Sequence, residues 1–151
     1  MKPGRPAEQG FTLLEMLAVI VIIAIGFSVL AFGVSQGLEK ARDRQAKTDL
    51  ALALRNVRSQ AIMSGQTALL HIDLLRNGYQ VPGQAEHLLP QGMQMRLTTA
   101  ANLSPQHGAI AFYPNGSASG GNIYLEKGTR AWRVDIAWLT GKVSWTEVEQ
   151  R

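Results

Sequence analysis

The chain has 151 residues and no cysteine, with 15 Lys and Arg against 11 Asp and Glu for a formal charge of +4. That length suffices for one ordinary domain, with roughly 100 residues left for it once any membrane segment is set aside. Disulfides, cysteine nucleophiles and thiolate metal sites are excluded, no large one-signed charge block marks an obvious polyanion binder, and the fold must stand on packing.

Apolar residues run almost unbroken from Met16 to Val34, interrupted by Gly26, Ser28 and Gly33, all tolerated inside a membrane helix. About nineteen residues at about 1.5 Å each give roughly 28 Å, close to the hydrocarbon thickness of a bilayer. A cleaved secretory signal is the alternative reading: Lys2 and Arg5 form its basic start, and Ala31-Phe32-Gly33 a small-residue cleavage site that would leave Val34 as the new N-terminus. Against it, the run is longer than a usual signal core, and Glu15 sits just inside its first turn, where a carboxylate requires a reason.

The reason lies in Gly10-Phe11-Thr12-Leu13-Leu14-Glu15, behind a short charged leader and ahead of the apolar helix. This unit resembles the processing site of type IV prepilins and of the pseudopilins of type II secretion. The resemblance implies that prepilin peptidase cuts the Gly10-Phe11 bond and methylates the new amine of Phe11, leaving the apolar segment on the mature protein. Glycine fits the scissile position because it leaves no side chain between protease and backbone. After cleavage Phe11 carries a cationic amine at the helix start, with Glu15 one turn on, where a carboxylate also complements the helix dipole. In a filament Glu15 can instead neutralise the amine of a neighbour and set axial register, since an unpaired charge in a membrane costs up to about 3 kcal/mol. A glutamate that simply reaches interfacial water is the plainer reading. Orientation does not follow from charge, because Lys40, Arg42, Arg44 and Lys47 follow the span while Lys2 and Arg5 precede it. A single-pass inner-membrane protein with its C-terminal domain in the periplasm is implied by the resemblance alone.

No proline lies between Ala7 and Pro82, and residues 36–63 are mostly good helix formers, so the helix is expected to continue outward. Asp43 and Lys47 are spaced to pair one turn apart, while Ala46, Leu50, Ala53, Leu54, Val57 and Ala61 form an apolar stripe that should lie against a sheet. A self-pairing coiled coil is the rival use of that stripe. Ser64-Gly65 ends the helix. Beyond it the period becomes two, with Ala68, Leu70, Ile72 and Leu74 alternating with Leu69, His71, Asp73 and Leu75, and Asn77-Gly78 supplying a tight hairpin turn into 79–81. Further strands are expected at 93–97, 109–113, 122–126, 130–138 and 142–145, with Trp132, Val134, Ile136 and Trp138 on one core-facing side. These readings divide the chain into a leader 1–10, a transmembrane helix 11–34, its periplasmic continuation 35–64 and an antiparallel β domain 65–151.

Within the β part, Phe112-Tyr113-Pro114-Asn115-Gly116-Ser117, Gly120-Gly121-Asn122-Ile123-Tyr124-Leu125, Val134-Asp135-Ile136 and Thr140-Gly141-Lys142-Val143 follow one another in order. Together they resemble the C-terminal region of the GspH/FimT family of minor pseudopilins and minor pilins. The resemblance implies an α+β, type IV pilin-like fold, with a long N-terminal transmembrane helix packed on a C-terminal antiparallel β-sheet or sandwich. It implies a structural subunit of the type II secretion pseudopilus, working with other minor pseudopilins, the major pseudopilin, prepilin peptidase and the inner-membrane assembly platform. A FimT-like minor pilin of type IV pilus biogenesis or DNA uptake is the alternative, and the absence of cysteine leans toward the pseudopilin because many pilins close a C-terminal loop with a disulfide.

No enzyme is expected. His71, His87 and His107 are widely spaced, with only Asp73 on the same strand face as His71, and no metal site or cofactor is assigned. Gly116-Ser117-Ala118-Ser119-Gly120 has neither the central serine of a nucleophile elbow nor the GK[ST] of a phosphate loop, and reads as a flexible turn. Arg130, Arg133 and Lys142, near the tryptophans, are the candidate DNA contacts, against the simpler reading of ordinary strand charges beside Glu126, Asp135, Glu147 and Glu149.

Overall fold

The computed structural model describes residues 12–98 and 106–149, with the side chains of 31–36 and 149 left aside. The chain divides into two compact units, 1–41 and 42–151. The helix α1 (Leu13–Ser64) contributes to both.

In the first unit, Thr12 precedes α1 as its N-cap. Its hydroxyl and its carbonyl accept from the N–H of Glu15 at 3.2 and 3.1 Å, so a donor left over at the helix start is satisfied. Leu13–Leu30 is long and apolar enough to cross a membrane, and its large side chains, from Leu13 to Leu30, are exposed. Ser28 is accommodated there by donating its hydroxyl to the Ala24 carbonyl at 2.8 Å.

In the second unit, the helix residues 42–64 share a core with eight strands. These are β1 (Ala68–Asp73), β2 (Gly78–Gln80), β3 (His87–Leu88), β4 (Gln94–Thr98), β5 (His107–Phe112), β6 (Gly121–Lys127), β7 (Arg130–Ile136) and β8 (Val143–Glu149). They form two four-stranded sheets, ordered β3-β2-β1-β5 and β4-β6-β7-β8. Every pairing is antiparallel. The expected stripe on α1 is buried along its length, with Leu50, Leu54, Val57 and Ala61 wholly inaccessible. It packs with Leu70, Ile72, Ile110 and Phe112 of the first sheet and Ile123, Leu125 and Val134 of the second. The stripe is thus consumed by the chain's own sheets, not by a coiled coil, and burial of each of its Leu and Val side chains contributes roughly 1.5–3 kcal/mol.

Three local expectations need correction. The first hairpin turn is a four-residue loop, 74–77, because Asp73 Oδ1 accepts from the N–H groups of Leu75 and Arg76 at 2.9 and 3.1 Å and begins the turn early. Asn77 then takes φ +49° and Gly78 pairs with Asp73 as the first residue of β2. β7 stops at Ile136: the Ala137 carbonyl accepts from Gly141 N–H at 2.8 Å, closing a turn that leaves Trp138 68% exposed and off the core face. Asp43 does not pair with Lys47. Its Oδ1 accepts from Lys127 Nζ at 2.8 Å, while Lys47 Nζ lies 4.2 Å from the centre of the Trp132 ring. Both helix residues are drawn to the β6-β7 hairpin, where burial makes charge and ring contacts stronger than on an open helix face.

Candidate functional site

The N-terminal processing residues Gly10 and Phe11 lie outside the described residues. The described part of the motif begins at Thr12 and shows what fixes it. Thr12 at the N-cap and Glu15 three residues on form the S/T-x-x-E pattern of a helix start, a signal that the sequence carries beside the processing motif. Glu15 lies in the first turn of α1 and is exposed. The cap fixes where the helix begins, and therefore on which side of the first turn the carboxylate projects.

Two of the four family-like pieces of the β part meet at one helix residue. In Phe112–Ser117, Asn115 Oδ1 accepts from the Ser117 hydroxyl at 2.6 Å and from its N–H at 3.1 Å, and Gly116 takes φ +84°. The Gly116 carbonyl then accepts from Arg58 Nε at 3.0 Å. Gly141, at φ +61°, is packed so closely that an added Cβ would collide with the Gly116 carbonyl and with the Arg58 side chain. The Pro-Asn-Gly-Ser turn and the Thr-Gly-Lys turn are therefore joined through α1, and their glycines are demanded by close approach. Ser117 and Ser119 serve the same scaffold. Ser119 Oγ accepts from Ala111 N–H at 3.1 Å, and neither serine has a base beside it in a nucleophile's geometry.

The three candidate DNA contacts are not brought together. Strand alternation puts Arg130 on the side of Trp132 and Val134, and Arg133 on the opposite side with Asp135. Arg130 lies 3.9 Å from Asp43, while Arg133 Nε lies 2.8 Å from Asp135 Oδ1, a contact that raises the already high Arg133 pKa. The Asn122 amide, oriented to satisfy its neighbours, also donates to Asp135 at 3.0 Å. Lys142 is exposed in the turn before β8.

His71 and His107 line one pocket together with Asp73 and Glu86, and His87 lines another. His87 stacks on Tyr79 with ring centres 5.4 Å apart, and His107 Nε2 lies 3.6 Å from Asp73 Oδ2. Among the described residues no group of three or more His, Cys, Asp or Glu is placed to hold a metal ion. Burial, with the Asp49 charge adding to it, pushes the Tyr79 phenol up to about 12.

A capped helix start, an apolar stretch long enough to cross a membrane and a helix-backed pair of antiparallel sheets define a type IV pilin-like protein. Two solved structures share that architecture. The minor pseudopilin EpsH from the type 2 secretion system of Vibrio cholerae matches with TM-score 0.55 at 15% identity, covering 70% of this chain and 97% of that one. The type IV minor pilin FimU of Pseudomonas aeruginosa matches with TM-score 0.53 at 15% identity, covering 72% and 90%. The family described as type II transport protein GspH matches residues 46–140, and the prokaryotic N-terminal methylation motif matches residues 5–31. Type II secretion system protein H of Xanthomonas campestris pv. campestris is 36% identical over 141 residues, covering 92% of this chain and 83% of that protein. This chain belongs to the GspH family.

Proposed function

We propose that this chain is a minor pseudopilin, a structural subunit of the periplasmic pseudopilus that takes part in type II protein secretion across the outer membrane. The observation that carries this reading is the 36% identity to a type II secretion system protein H across 92% of the chain. The fold likeness does not choose, because EpsH and FimU share it to the same degree at 15% identity. The work is assembly, not catalysis, and it engages other minor pseudopilins, the major pseudopilin and the inner-membrane assembly platform.

On this reading residues 1–10 are a leader removed by prepilin peptidase, Phe11 becomes the methylated N-terminus, and 11–34 anchor the protein in the inner membrane. Residues 35–64 continue the helix into the periplasm, where the β domain 65–151 selects neighbours. The stored helix exchanges lipid contacts for helix contacts on entering the filament. Glu15, exposed one turn inside the capped start, neutralises the Phe11 amine of an adjacent subunit. An unpaired pair of charges is costly at membrane depth and a matched pair is not, so the contact sets axial register.

Mass spectrometry of the membrane-extracted protein tests the processing step, with a methylated Phe11 as the expected N-terminus; an N-terminus at Val34 would establish a cleaved signal instead. In cells dependent on this subunit, Gly10→Val should retain the leader. Glu15→Ala should be processed normally yet lose secretion, and normal secretion by Glu15→Ala would remove the register role.

A further inference from the structure

The two sheets have four outer strands, of which three are shorter than the fourth and one of those three is covered. β3 is two residues long, and β4 is five residues long and carries Arg96, tied to Glu126 at 2.9 Å. The free side of β5 is met by residues 118–119: Phe112 bridges Ala118, Ser119 N–H donates to the Ala111 carbonyl at 2.8 Å, and Ser119 Oγ accepts from Ala111 N–H at 3.1 Å. β8 differs. Among the described residues it is seven long, pairs with β7 on one side and is last in its sheet; it contains neither proline nor lysine, its charges being Glu147 and Glu149. Such an edge is a ready template for another strand, and stable proteins cover or guard edges of this kind.

Beside β8 runs a cleft of about 460 Å³, walled by Arg44, Lys47, Leu52 and Arg55 of α1 and by Trp132 and Trp145 of the sheet. Three cations line it against the single acid Glu147. Leu52 is 48% exposed, an apolar side chain on the cleft wall. Burial lowers the pKa of Lys47, a penalty that an incoming carboxylate would offset. Along the helix, Arg44 and Arg55 are separated by about 16 Å of rise. On an added strand, side chains four residues apart face the same way about 13 Å apart, and arginine reach covers the difference.

We infer that the β8 edge and this cleft together accept an extended acidic segment of a neighbouring filament subunit, with the pattern acidic-x-apolar-x-acidic. The segment adds a fifth strand to the sheet, its carboxylates meeting Arg44 and Arg55 and its apolar residue meeting Leu52 and Trp145. Main-chain pairing supplies the affinity and the cleft supplies the choice of side chains. A filament subunit fits better than a protein in transit, because an edge of this length needs persistent cover and a passing cargo would leave it bare. The inference rests on the reading of the chain as a filament subunit.

The test uses the full chain in detergent micelles and a fluorescent seven-residue probe, TETVTET, read by anisotropy. Saturable binding is expected, weakened at least about tenfold by exchanging both glutamates for lysine, by N-methylating alternate amides, and by Arg55→Glu. Lys142→Glu, outside the cleft, should leave it unchanged. No saturable binding up to about 1 mM, or equal binding of the lysine probe, would overturn the site. In cells, a photoreactive residue in place of Leu52 should crosslink to a pilin-like subunit; capture of a secreted protein alone, or of nothing, would overturn the assigned occupant. Secretion is scored separately. A chain that supports secretion while Leu52 captures nothing defeats only the groove, whereas a chain with no part in secretion defeats the functional reading whatever the probe does.

Discussion

Asp43→Asn should destabilise the β unit by about 2 kcal/mol, and the figure can be worked from the surroundings of one carboxylate. Asp43 is 3% exposed, its Oδ1 accepts from Lys127 Nζ at 2.8 Å, and its Oδ2 lies 3.9 Å from the Arg130 guanidinium without a hydrogen bond. Asparagine preserves shape but removes the charge, leaving two cations facing a neutral group. Breaking a wholly buried ion pair costs about 3–5 kcal/mol. Here the Lys127 and Arg130 side chains are 20% and 49% exposed, so both can turn partly toward water, which brings the loss down to about 2 kcal/mol. For a unit of roughly a hundred residues that corresponds to a Tm fall of about 8–10 °C. Thermal unfolding of the full chain in micelles, followed by tryptophan fluorescence, reads this unit selectively, because Trp132, Trp138 and Trp145 all lie in it. The double variant Asp43→Leu with Lys127→Met removes both members of the short pair and should recover most of the loss. A single variant within about 0.5 kcal/mol of the parent, or a double variant as unstable as the single, would refute the account.

Three further outcomes are expected. Leu54→Ala, at a wholly buried position, should cost about 3 kcal/mol through lost transfer energy and a residual cavity, measured by the same unfolding assay. Gly141→Ala should cost at least about 2 kcal/mol, because it strains a residue at φ +61° and drives a methyl group into the Gly116 carbonyl and Arg58; unfolding and the spread of amide NMR shifts in 113–117 would report it. Of the three tyrosines, Tyr79 should titrate near 12 in ultraviolet difference spectra, and Tyr79→Phe should abolish that late step. Its pKa is raised above the unfolded value, so the stability it contributes is intact below about pH 10 and is lost as pH rises toward about 12.

The elements legible in the sequence are those fixed by local chemistry. The apolar span, the i, i+3, i+4 stripe from Ala46 to Ala61 and the turn glycines each announce themselves, and the stripe is buried against the sheets as its spacing requires. What was hidden depends on where strands are placed by the rest of the fold. Trp138 continues the alternation of Trp132, Val134 and Ile136, and only the Ala137-Gly141 turn, closed around Arg58 and Gly116, takes it off the face. Asp43 and Lys47 satisfy the spacing rule for a helix pair, yet β6 and β7 bring a lysine and a tryptophan closer and drier. β3 is two residues long and carries too little pattern to be seen. At the N-terminus, the roles proposed for Gly10, Phe11 and Glu15 rest on resemblance, while Thr12, whose hydroxyl caps the helix, follows from elementary capping chemistry.

The motifs that identify the family are scaffold residues, and this limits what they say about partners. Gly116 and Gly141 are required by a close approach to Arg58, Asn115 is required to close its turn, and Ser119 is required to cover the edge of β5. Any protein that keeps this arrangement of helix and sheets has the same needs, whether it joins a secretion pseudopilus or a pilus, so EpsH and FimU resemble the fold alike. Discrimination between neighbours must come from positions the scaffold leaves open. On the described surface these include Leu52 and Arg55 beside the β8 edge, and Trp138 and Leu139, 68% and 65% exposed at the tip of the Arg58-anchored turn. Changes there alter contacts without disturbing the core, so exchanging them between a pseudopilin and a pilin of this fold should move partner choice while leaving unfolding temperature nearly unchanged.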